Sequence, residues 1–189
     1  MGYAIAAAAL ESNHDVVLIS GPVNLAPPAN AKWVNVITSD DMHEAVHEAV
    51  RDCDVLVMCA AVSDYKPARV AKAKIKKRDE DFSLELIPAR DILKSLPRSR
   101  NFFVVGFAAE TNDVERHARA KLAAKNCDMI VANDLSDPNI GMESDENAVT
   151  IFSRNGKIKK ISRASKKIIA RALVKIICAN AKKVLTKNF

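Results

Sequence analysis

Polar side chains follow three apolar runs of this sequence, at the points where strands are expected to end. The runs cover residues 55–62, 102–108 and 129–132. Ligands of open α/β sheets bind beyond the carboxyl ends of parallel strands, so the residues after these runs are expected at one edge. Each could also be a helix cap or a turn former, but their recurrence at one edge favours a site. These residues are Ser63, Asp64, Tyr65, Glu110, Thr111, Asn112, Asn133 and Asp134.

Lysines supply the second half of this candidate site. Lys121 and Lys125 stand four residues apart, on one face of a helix predicted over residues 112–126. Four more follow Asp64 within a predicted loop, and ammonium groups neutralise phosphate as point charges. Residues 74–77 are equally consistent with a solvated strand that has one inward isoleucine, as is their near copy at 157–160. The four loop lysines are Lys72, Lys74, Lys76 and Lys77.

Glycine is scarce, with 5 in 189 residues. Glycine-rich loops are the commonest phosphate cradle, and neither GxGxxG nor GxxxxGK[ST] occurs in the sequence. A polyphosphate ligand would therefore have to be neutralised by lysine side chains. With 49% apolar and 28% charged residues and 4 cysteines, the composition also excludes collagen-like, disordered and disulfide-scaffold proteins.

The segment from His43 to His47 matches HExxH, the signature of zinc proteases. It falls on a predicted helix whose apolar face is formed by other residues, so both histidines are expected at the edge of that face. A zinc protease also needs a third ligand and a different fold. We therefore predict no zinc site here. The cysteines form no CxxC pair and are predicted to be buried free thiols.

Helix and strand patterns alternate along the chain, which predicts the elements that position these residues. The three apolar runs are typical of central parallel strands covered on both faces. Residues 148–152 and 157–161 predict a β-hairpin that turns at Asn155-Gly156, followed by a helix. Further predicted helices cover residues 1–12, 39–51 and 112–126, and further strands cover 16–19 and 32–36.

This alternation predicts an α/β fold, namely a Rossmann-like doubly wound, mostly parallel sheet with a C-terminal β-hairpin and helix. Folds of this kind normally open with a strand, whose following loop meets the ligand phosphates. Here the sequence opens on what should be the first crossover helix. The first strand and its loop are therefore expected to be missing from residues 1–189.

Basic charge is concentrated at one end of the chain. Residues 151–189 hold 12 of the 29 basic residues and none of the 23 acidic ones, although the whole chain has a net charge of +6. Apolar residues at helical spacing near Ile169 are flanked by Lys167, Arg171 and Lys175, which is typical of a solvated helix face. A module that binds nucleic acid or another polyanion is the alternative interpretation.

No apolar run approaches the roughly 18 residues that a membrane-spanning helix needs. The longest runs cover residues 3–10 and 102–109. The first residues also lack the basic region and cleavage site of a secretory signal. We therefore predict a cytoplasmic protein with no membrane partner.

Several short motifs, in their order and spacing, together resemble the phosphopantothenate–cysteine ligase family over essentially the whole chain. In bacteria that ligase is commonly the C-terminal half of a bifunctional coenzyme A biosynthesis protein. The motifs are Ala60 to Tyr65, Lys74 to Lys77, Gly106 to Thr111, Ala132 to Asp134 and Asp145 to Val149, together with Met1 to Ala6 and Ser20 to Val23.

The resemblance implies a two-step ligation in coenzyme A biosynthesis. The carboxylate of 4′-phosphopantothenate attacks the α-phosphate of CTP, with Mg²⁺ assisting, to give an acyl-cytidylate and pyrophosphate. The amine of cysteine then displaces CMP. The resemblance further implies a homodimer, a separate or fused decarboxylase as partner, no flavin in this half of the protein and no nucleic-acid partner.

The resemblance also assigns roles to residues. Lys74 is implied as the flap lysine that contacts the nucleotide and promotes the second half-reaction, and Ala61 as part of the acyl-intermediate site. Asp64 is implied at the nucleotide and its metal, and Lys121 and Lys125 at the phosphates. The base pocket is implied at Met58, Cys59, Ala60 and Phe107, beside the loop of Arg90, Asp91, Ile92 and Leu93, in which Arg90 stands where the family has proline.

Residues 1–189 are thus expected to form a single nucleotide-binding ligase domain that lacks the N-terminal strand and the Gly/Ser-rich loop of the family. We predict weak or no ligase activity for this chain as numbered, because the family places residues of the acyl half-reaction in that segment. A nicotinamide-dependent oxidoreductase on the same fold is a further alternative, and the missing dinucleotide loop disfavours it.

Overall fold

The computed structural model describes residues 1–77, 79, 81–110, 113–134 and 144–186, with the side chains of Glu110 and Asp134 left out. Helices and strands alternate through most of the chain. The helices are α1 (Gly2–Glu11), α2 (Ser39–Ala49), α3 (Ile92–Ser95), α4 (Val114–Ala124) and α5 (Lys166–Leu185). The strands are β1 (Val17–Ser20), β2 (Lys32–Asn35), β3 (Val55–Met58), β4 (Tyr65–Pro67), β5 (Leu86–Pro88), β6 (Phe103–Glu110), β7 (Met129–Asp134), β8 (Glu146–Ser153) and β9 (Ile158–Ser165).

The central sheet has five strands in the order β3-β6-β7-β8-β9. β3, β6 and β7 are mutually parallel, and β8 and β9 continue the sheet as an antiparallel hairpin. β1 and β2 form a separate parallel pair, and β4 and β5 a small antiparallel one. The predicted α/β fold with a C-terminal hairpin and helix is therefore confirmed.

Helices cover both faces of the sheet, as a doubly wound fold requires. One face packs on α1 and α5 through a cluster centred on Val105, Val131 and Leu173. The other face packs on α2, α3 and α4 through a cluster centred on Val104, Ile130 and Ala118. Successive residues of β6 thus alternate between two separate cores, as the strand period of two dictates.

Local sequence signals explain several boundaries. Thr38 and Asp41 form a reciprocal capping box at the start of α2, in which the Asp41 backbone N–H donates to Thr38 Oγ1 over 3.0 Å. Ser165 caps α5 with its side chain. Gly156 has a φ of +83°, which glycine adopts without steric cost, so it fixes the β8–β9 turn at the predicted Asn155-Gly156.

The structure departs from one sequence expectation. The run at 55–62 forms a strand only to Met58, and β3 lies at an end of its sheet rather than at its centre. The expectation of a central strand is therefore wrong for the described residues, because no strand flanks β3 on the side away from β6. Residues 74–77 lie in a loop, as predicted for the lysines after Asp64 and unlike the alternative of a solvated strand, whereas their near copy at 157–160 enters β9.

Among the helices of the described part of the chain, none combines the length and the apolarity needed to cross a membrane.

Candidate functional site

The carboxyl end of β3 meets the start of α3 beside the middle of β6. Met58 of β3 is in register with Gly106 of β6. A Cβ at Gly106 would stand 2.9 Å from Ile130 Cδ1 and 3.3 Å from Leu93 Cδ1. Glycine at this position therefore lets Leu93 pack directly on the sheet, and Leu93 carries the predicted loop of Asp91, Ile92 and Leu93 to the strand ends.

Asp91 caps the first turn of α3. Its Oδ1 accepts a hydrogen bond of 3.0 Å from the backbone N–H of Lys94, and its Oδ2 accepts one from the ammonium of Lys125. Burial raises the pKa of the Asp91 carboxyl, but the hydrogen bonds from Lys125 and Lys94 outweigh burial, so the pKa lies below its ordinary value. Asp91 is thus an ionised, half-buried group at the strand ends.

Lys121 and Lys125 flank the end of α4 one helical turn apart. Lys121 lies in the last turn of α4, and Lys125 is the residue that caps it. Both side chains are half-buried. The structure therefore brings the predicted phosphate lysines to the same helix end, and it pairs Lys125 with Asp91 of the predicted base loop.

A small hairpin stands over the same edge. β4 and β5 form its two strands, and the loop 68–85 joins them; we call β4, β5 and this loop the flap. A backbone hydrogen bond from Ala89 N–H to Asp64 C=O (2.8 Å) closes its base, and one from Ala68 N–H to Glu85 C=O (2.9 Å) closes the end from which the loop leaves. Lys74 lies exposed in the loop.

The flap is tethered to α2 by an ion pair that sequence spacing did not reveal. The ammonium of Lys66 in β4 donates to the Asp40 carboxylate in the first turn of α2. This hydrogen bond, with the nearby charges of Lys66, Arg90 and His43, holds the pKa of Asp40 below its ordinary value. Asp40 and Lys66 are 26 residues apart, so only the fold brings them together.

Residues 59–64 connect β3 to the flap at the strand ends. Ala60, Ala61 and Asp64 are exposed, so their side chains and the adjacent backbone are open to a ligand. Cys59 is half-buried, and burial raises the pKa of its thiol. A thiol held neutral in this way is a packing group rather than a nucleophile.

Phe107 lies on the opposite face of the sheet from Met58 and Leu93. Its half-buried side chain packs against the cluster on the α1 and α5 side, whereas Met58 and Leu93 pack on the α2 and α4 side. The sheet therefore does not bring these three predicted pocket side chains into one cluster. Phe107 directly follows Gly106, which is in register with Met58 and contacts Leu93 from the other face. Arg90, which is exposed, follows the flap directly.

Two predicted positions cannot be placed. Thr111 and Asn112 lie outside the described residues, as do the side chains of Glu110 and Asp134. Asn133 accepts a hydrogen bond of 3.2 Å from the amide of Asn147, whose side chain is 1% exposed. This contact joins the end of β7 to β8. Asn147 belongs to the motif from Asp145 to Val149, which only the family resemblance had singled out.

The two histidines of the HExxH segment contact a serine. Their rings stack with centroids 4.3 Å apart, and their Nε2 atoms lie 3.1 Å (His43) and 2.8 Å (His47) from Ser95 Oγ in α3. The Ser95 hydroxyl donates to the carbonyl of Ile92 over 2.8 Å, which leaves its oxygen to accept from the imidazoles. The segment thus joins α2 to the helix that Asp91 caps.

Comparison with known proteins shows one family across nearly the whole chain. Residues 1–180 match the family described as DNA/pantothenate metabolism flavoprotein C-terminal domain. The chain is 40% identical to the coenzyme A biosynthesis bifunctional protein CoaBC of Vibrio vulnificus (strain CMCP6) over 181 residues, which are 94% of this chain and 45% of that protein. It is 42% identical to CoaBC of Bacillus subtilis (strain 168) over 96% of this chain and 45% of the relative. The chain thus spans less than half the length of these relatives.

Solved structures show the same architecture. A crystal structure of the C-terminal domain of CoaBC superposes with a TM-score of 0.80 at 36% identity, covering 96% of this chain and 82% of that one. The H337A mutant of Cab2 in complex with phosphopantothenate-cysteine superposes with a TM-score of 0.65 at 18% identity, covering 84% of this chain and 55% of that one. The second likeness shows the fold alone.

Proposed function

Because this chain belongs to the DNA/pantothenate metabolism flavoprotein C-terminal domain family, we propose that it is the phosphopantothenate–cysteine ligase part of a coenzyme A biosynthesis protein. The observation that carries this proposal is the 40% identity to the C-terminal part of bifunctional CoaBC over 94% of the chain. The contact between Lys125 and Asp91 supports it, since it joins the end of α4 to the α3 loop, which packs through Leu93 on Gly106 beside the end of β3.

The proposed reaction has two steps. The carboxylate of 4′-phosphopantothenate attacks the α-phosphorus of CTP, an acyl-cytidylate forms and pyrophosphate leaves. The amine of cysteine then attacks the acyl carbon, an amide bond forms, CMP leaves and the amine loses a proton. Catalysis of such steps rests mainly on positioning and on neutralising phosphate charge.

Lys121 and Lys125 are proposed to bind the phosphates of CTP. Both ammonium groups stand at the end of α4, and Lys125 is already held in place by Asp91. A phosphate oxygen that replaces one Asp91 contact would gain an oriented donor without ordering a free side chain. Asp91 would therefore act as a positioning residue for Lys125 as well as a cap for α3.

The base is proposed to bind at the rim formed by Met58, Cys59 and Ala60, with Phe107 and the loop of Arg90 to Leu93 beside it. The backbone of residues 58–60 ends β3 and offers peptide donors and acceptors in fixed positions. Leu93, packed on Gly106, holds the loop against this rim. Selectivity for CTP over other nucleotides would then depend on backbone hydrogen bonds.

Lys74 and Ala61 are proposed to serve the acyl-cytidylate. Lys74 projects from the flap, whose base is fixed through the Ala89–Asp64 hydrogen bond. An ammonium group there can neutralise the α-phosphate as CMP leaves. Ala61, next to the strand end, has a small side chain that leaves room for the acyl chain.

The residues present fit a magnesium ion that arrives with the nucleotide. Mg²⁺ is usually bound by one or two carboxylates and by substrate phosphates rather than by a cage of protein ligands. Asp64, an exposed carboxylate between β3 and the flap, is the residue proposed to hold it. The ion would supply charge neutralisation at the phosphates.

The alternative functions are not favoured. A polyanion-binding module would use α5, but Arg171 is engaged with Glu11 of α1 through hydrogen bonds of 2.7 and 3.2 Å, and Lys167 lies 3.9 Å from the same carboxylate. An oxidoreductase would need a dinucleotide loop that the sequence lacks.

Nucleotide binding tests the proposal directly. We expect the purified chain to bind CTP with Mg²⁺ more tightly than ATP in isothermal titration calorimetry, and Lys121→Gln to weaken CTP binding at least tenfold. Lys182→Gln, on the distant α5, is the matched charge control. Equal weakening by both variants would remove the proposed role of Lys121.

We also expect the protein to be a homodimer. Size-exclusion chromatography coupled to light scattering measures its molar mass and checks this expectation.

A further inference from the structure

The flap makes very little apolar contact with the body of the protein. Of the six residues in β4 and β5, five are exposed, and only Lys66 is half-buried. No residue of these two strands belongs to either hydrophobic cluster of the sheet, whereas each of the other described strands contributes at least one residue to them. Apolar packing therefore does not set the position of the flap.

One ion pair connects the flap to α2. The ammonium of Lys66 donates to the carboxylate of Asp40, and the two side chains are 32% and 37% exposed, so the pair is partly shielded from water and salt. Among residues 65–77, 79 and 81–88, no other side chain has a hydrogen bond or an ion pair with the rest of the described chain. The contact between Lys66 and Asp40 is therefore the side-chain anchor of the flap.

Asp40 lies on a rigid support. It is in the first turn of α2, where Thr38 and Asp41 form the capping box. Met42 and Val46, further along the same helix, are buried in the cluster between α2 and the sheet. A carboxylate on such a helix has a fixed position, and a loosely packed hairpin that pairs with it takes its orientation from that position.

Positive charges from both ends of the flap act on this one carboxylate. Asp40 Oδ2 accepts from Lys66 in β4, whereas Oδ1 is buried and accepts no hydrogen bond from the described residues. The nearby charge of Arg90, which follows β5 by two residues, also stabilises the ionised form of Asp40. Asp40 is thus the acidic group on which the two ends of the flap converge.

The position of Asp40 bears on Lys74 through the hairpin. Lys66 pairs with Ile87 in the middle of the two short strands, and Lys74 lies exposed in the loop that these strands carry. An isolated two-stranded hairpin is only marginally stable in water. The direction in which the loop points therefore depends on how the hairpin is anchored, and Lys66 is the anchored residue.

We propose that Asp40 is a positioning residue for the flap, which it holds in one orientation through Lys66, so that the ammonium of Lys74 stays within reach of a bound nucleotide. The part that concerns Lys74 rests on the proposed function, whereas the anchoring of the flap does not. A flap released from Asp40 would present Lys74 in many directions, and ordering it on the nucleotide would cost more entropy. Lys121, on α4, would keep its contacts with the nucleotide.

Hydrogen–deuterium exchange of the chain without nucleotide tests the anchor. We expect Asp40→Asn and Lys66→Gln each to speed exchange about 10-fold in peptides covering residues 64–68 and 85–89. Lys66→Arg keeps the cation, so its exchange should stay within about 2-fold of that in the unsubstituted chain. Glu44→Gln, which removes an exposed carboxylate from the same helix, is the matched control. Unchanged exchange in either Asp40→Asn or Lys66→Gln would overturn the proposal.

Lysine footprinting with CTP and Mg²⁺ tests the consequence for Lys74. Acetylation of each lysine by an N-hydroxysuccinimide ester is measured by mass spectrometry with and without the nucleotide. In the unsubstituted chain we expect the nucleotide to slow acetylation of Lys74 and Lys121 by about fivefold or more. In Asp40→Asn we expect the protection of Lys74 to be lost and that of Lys121 to remain, and in Lys66→Arg we expect both to be protected.

The footprint separates failure of this inference from failure of the proposed function. Protection of Lys74 that persists in Asp40→Asn would contradict the positioning role, as would loss of protection at both lysines in that variant. Protection of Lys121 alone in the unsubstituted chain would remove the link between the anchor and Lys74. Protection of neither lysine in the unsubstituted chain would count against the proposed function, and the exchange experiment alone would then decide whether Asp40 anchors the flap.

Discussion

The ammonium of Lys125, at the end of α4, donates to the carboxylate of Asp91, the cap of α3. The two residues are 34 positions apart. Their contact joins the helix end proposed to bind phosphate to the loop proposed to bind the base. We therefore expect the phosphate and base parts of the site to respond together to substitutions of either residue.

Lys125→Gln is expected to weaken CTP binding by 10- to 100-fold, because it removes a cation from the phosphates and releases the α3 cap. Asp91→Asn keeps a good helix cap and removes the carboxylate that holds Lys125 in place. We expect it to weaken CTP binding by about 2- to 10-fold, less than Lys125→Gln does, because Lys125 keeps its charge but loses the partner that orients it. Titration calorimetry of the two variants decides, and unchanged or tighter binding by Asp91→Asn would contradict the positioning role of Asp91.

Acid is expected to destabilise the protein partly through Asp91. Its pKa is lower in the folded protein than in the unfolded chain, so its contribution is present above the unfolded value of about 4 and is lost as pH falls through the folded value. Urea unfolding at pH 7 and pH 3 measures this decline. Asp91→Asn should make the decline shallower, and an unaltered slope would mean that Asp91 does not contribute.

A second pH effect is expected from the histidines that hold α3. Burial and the neighbouring His43 lower the pKa of His47. The folded protein therefore binds this proton less well than the unfolded chain, so stability is full above about pH 6.5 and declines as pH falls below it. Other charges near the pair include Asp40, which pairs with Lys66. Melting temperatures at pH 7.5 and 5.5 should differ less in His47→Gln, and an equal difference would count against the histidine.

Gly106→Ala tests the close approach of Leu93 to the sheet. The added methyl group would meet Ile130 and Cys127 as well as Leu93 within 3.3 Å, so we expect a loss of about 1–3 kcal/mol in the free energy of unfolding and weaker CTP binding. Gly21→Ala is the matched control, since its nearest neighbour is 4.0 Å away. A neutral effect of Gly106→Ala would show that the α3 loop is not positioned by this contact.

Lys74→Gln is expected to separate the two half-reactions in a form extended at Met1 by the residues that precede the matched region in Bacillus subtilis CoaBC. Pyrophosphate release should continue while amide formation slows, so that acyl-cytidylate accumulates and is detectable by mass spectrometry. Lys72→Gln, on the same loop, serves as the charge control. Unaltered formation of both products in Lys74→Gln would remove its proposed role.

The sequence predicted the parts of the fold that depend on local patterns. Continuous apolar runs located β6 and β7, and two short runs located the β8–β9 hairpin. Asn155-Gly156 marked the turn that Gly156 makes with its positive φ. Local patterns could not predict the order of the strands in the sheet. The apolar run that begins at Val55 predicted a central strand, but the position of a strand depends on which other strands pair with it.

The candidate site shows the same division. Strand-end residues and lysines were recognisable by type and spacing, and the resemblance assigned their roles. The contacts that position these residues were not recognisable from the sequence. Lys66 and Asp40 are 26 residues apart, and Lys125 and Asp91 are 34 residues apart. Only the packing of α2, α3 and α4 on one face of the sheet creates those pairs.

The most direct test of the central claim is a product assay with CTP labelled at the α-phosphate, 4′-phosphopantothenate, cysteine and Mg²⁺. In the form extended at Met1 we predict equal amounts of labelled CMP and 4′-phosphopantothenoylcysteine. Absence of CMP and of the amide from the extended form, with CTP bound, would contradict the assignment of this chain as the ligase.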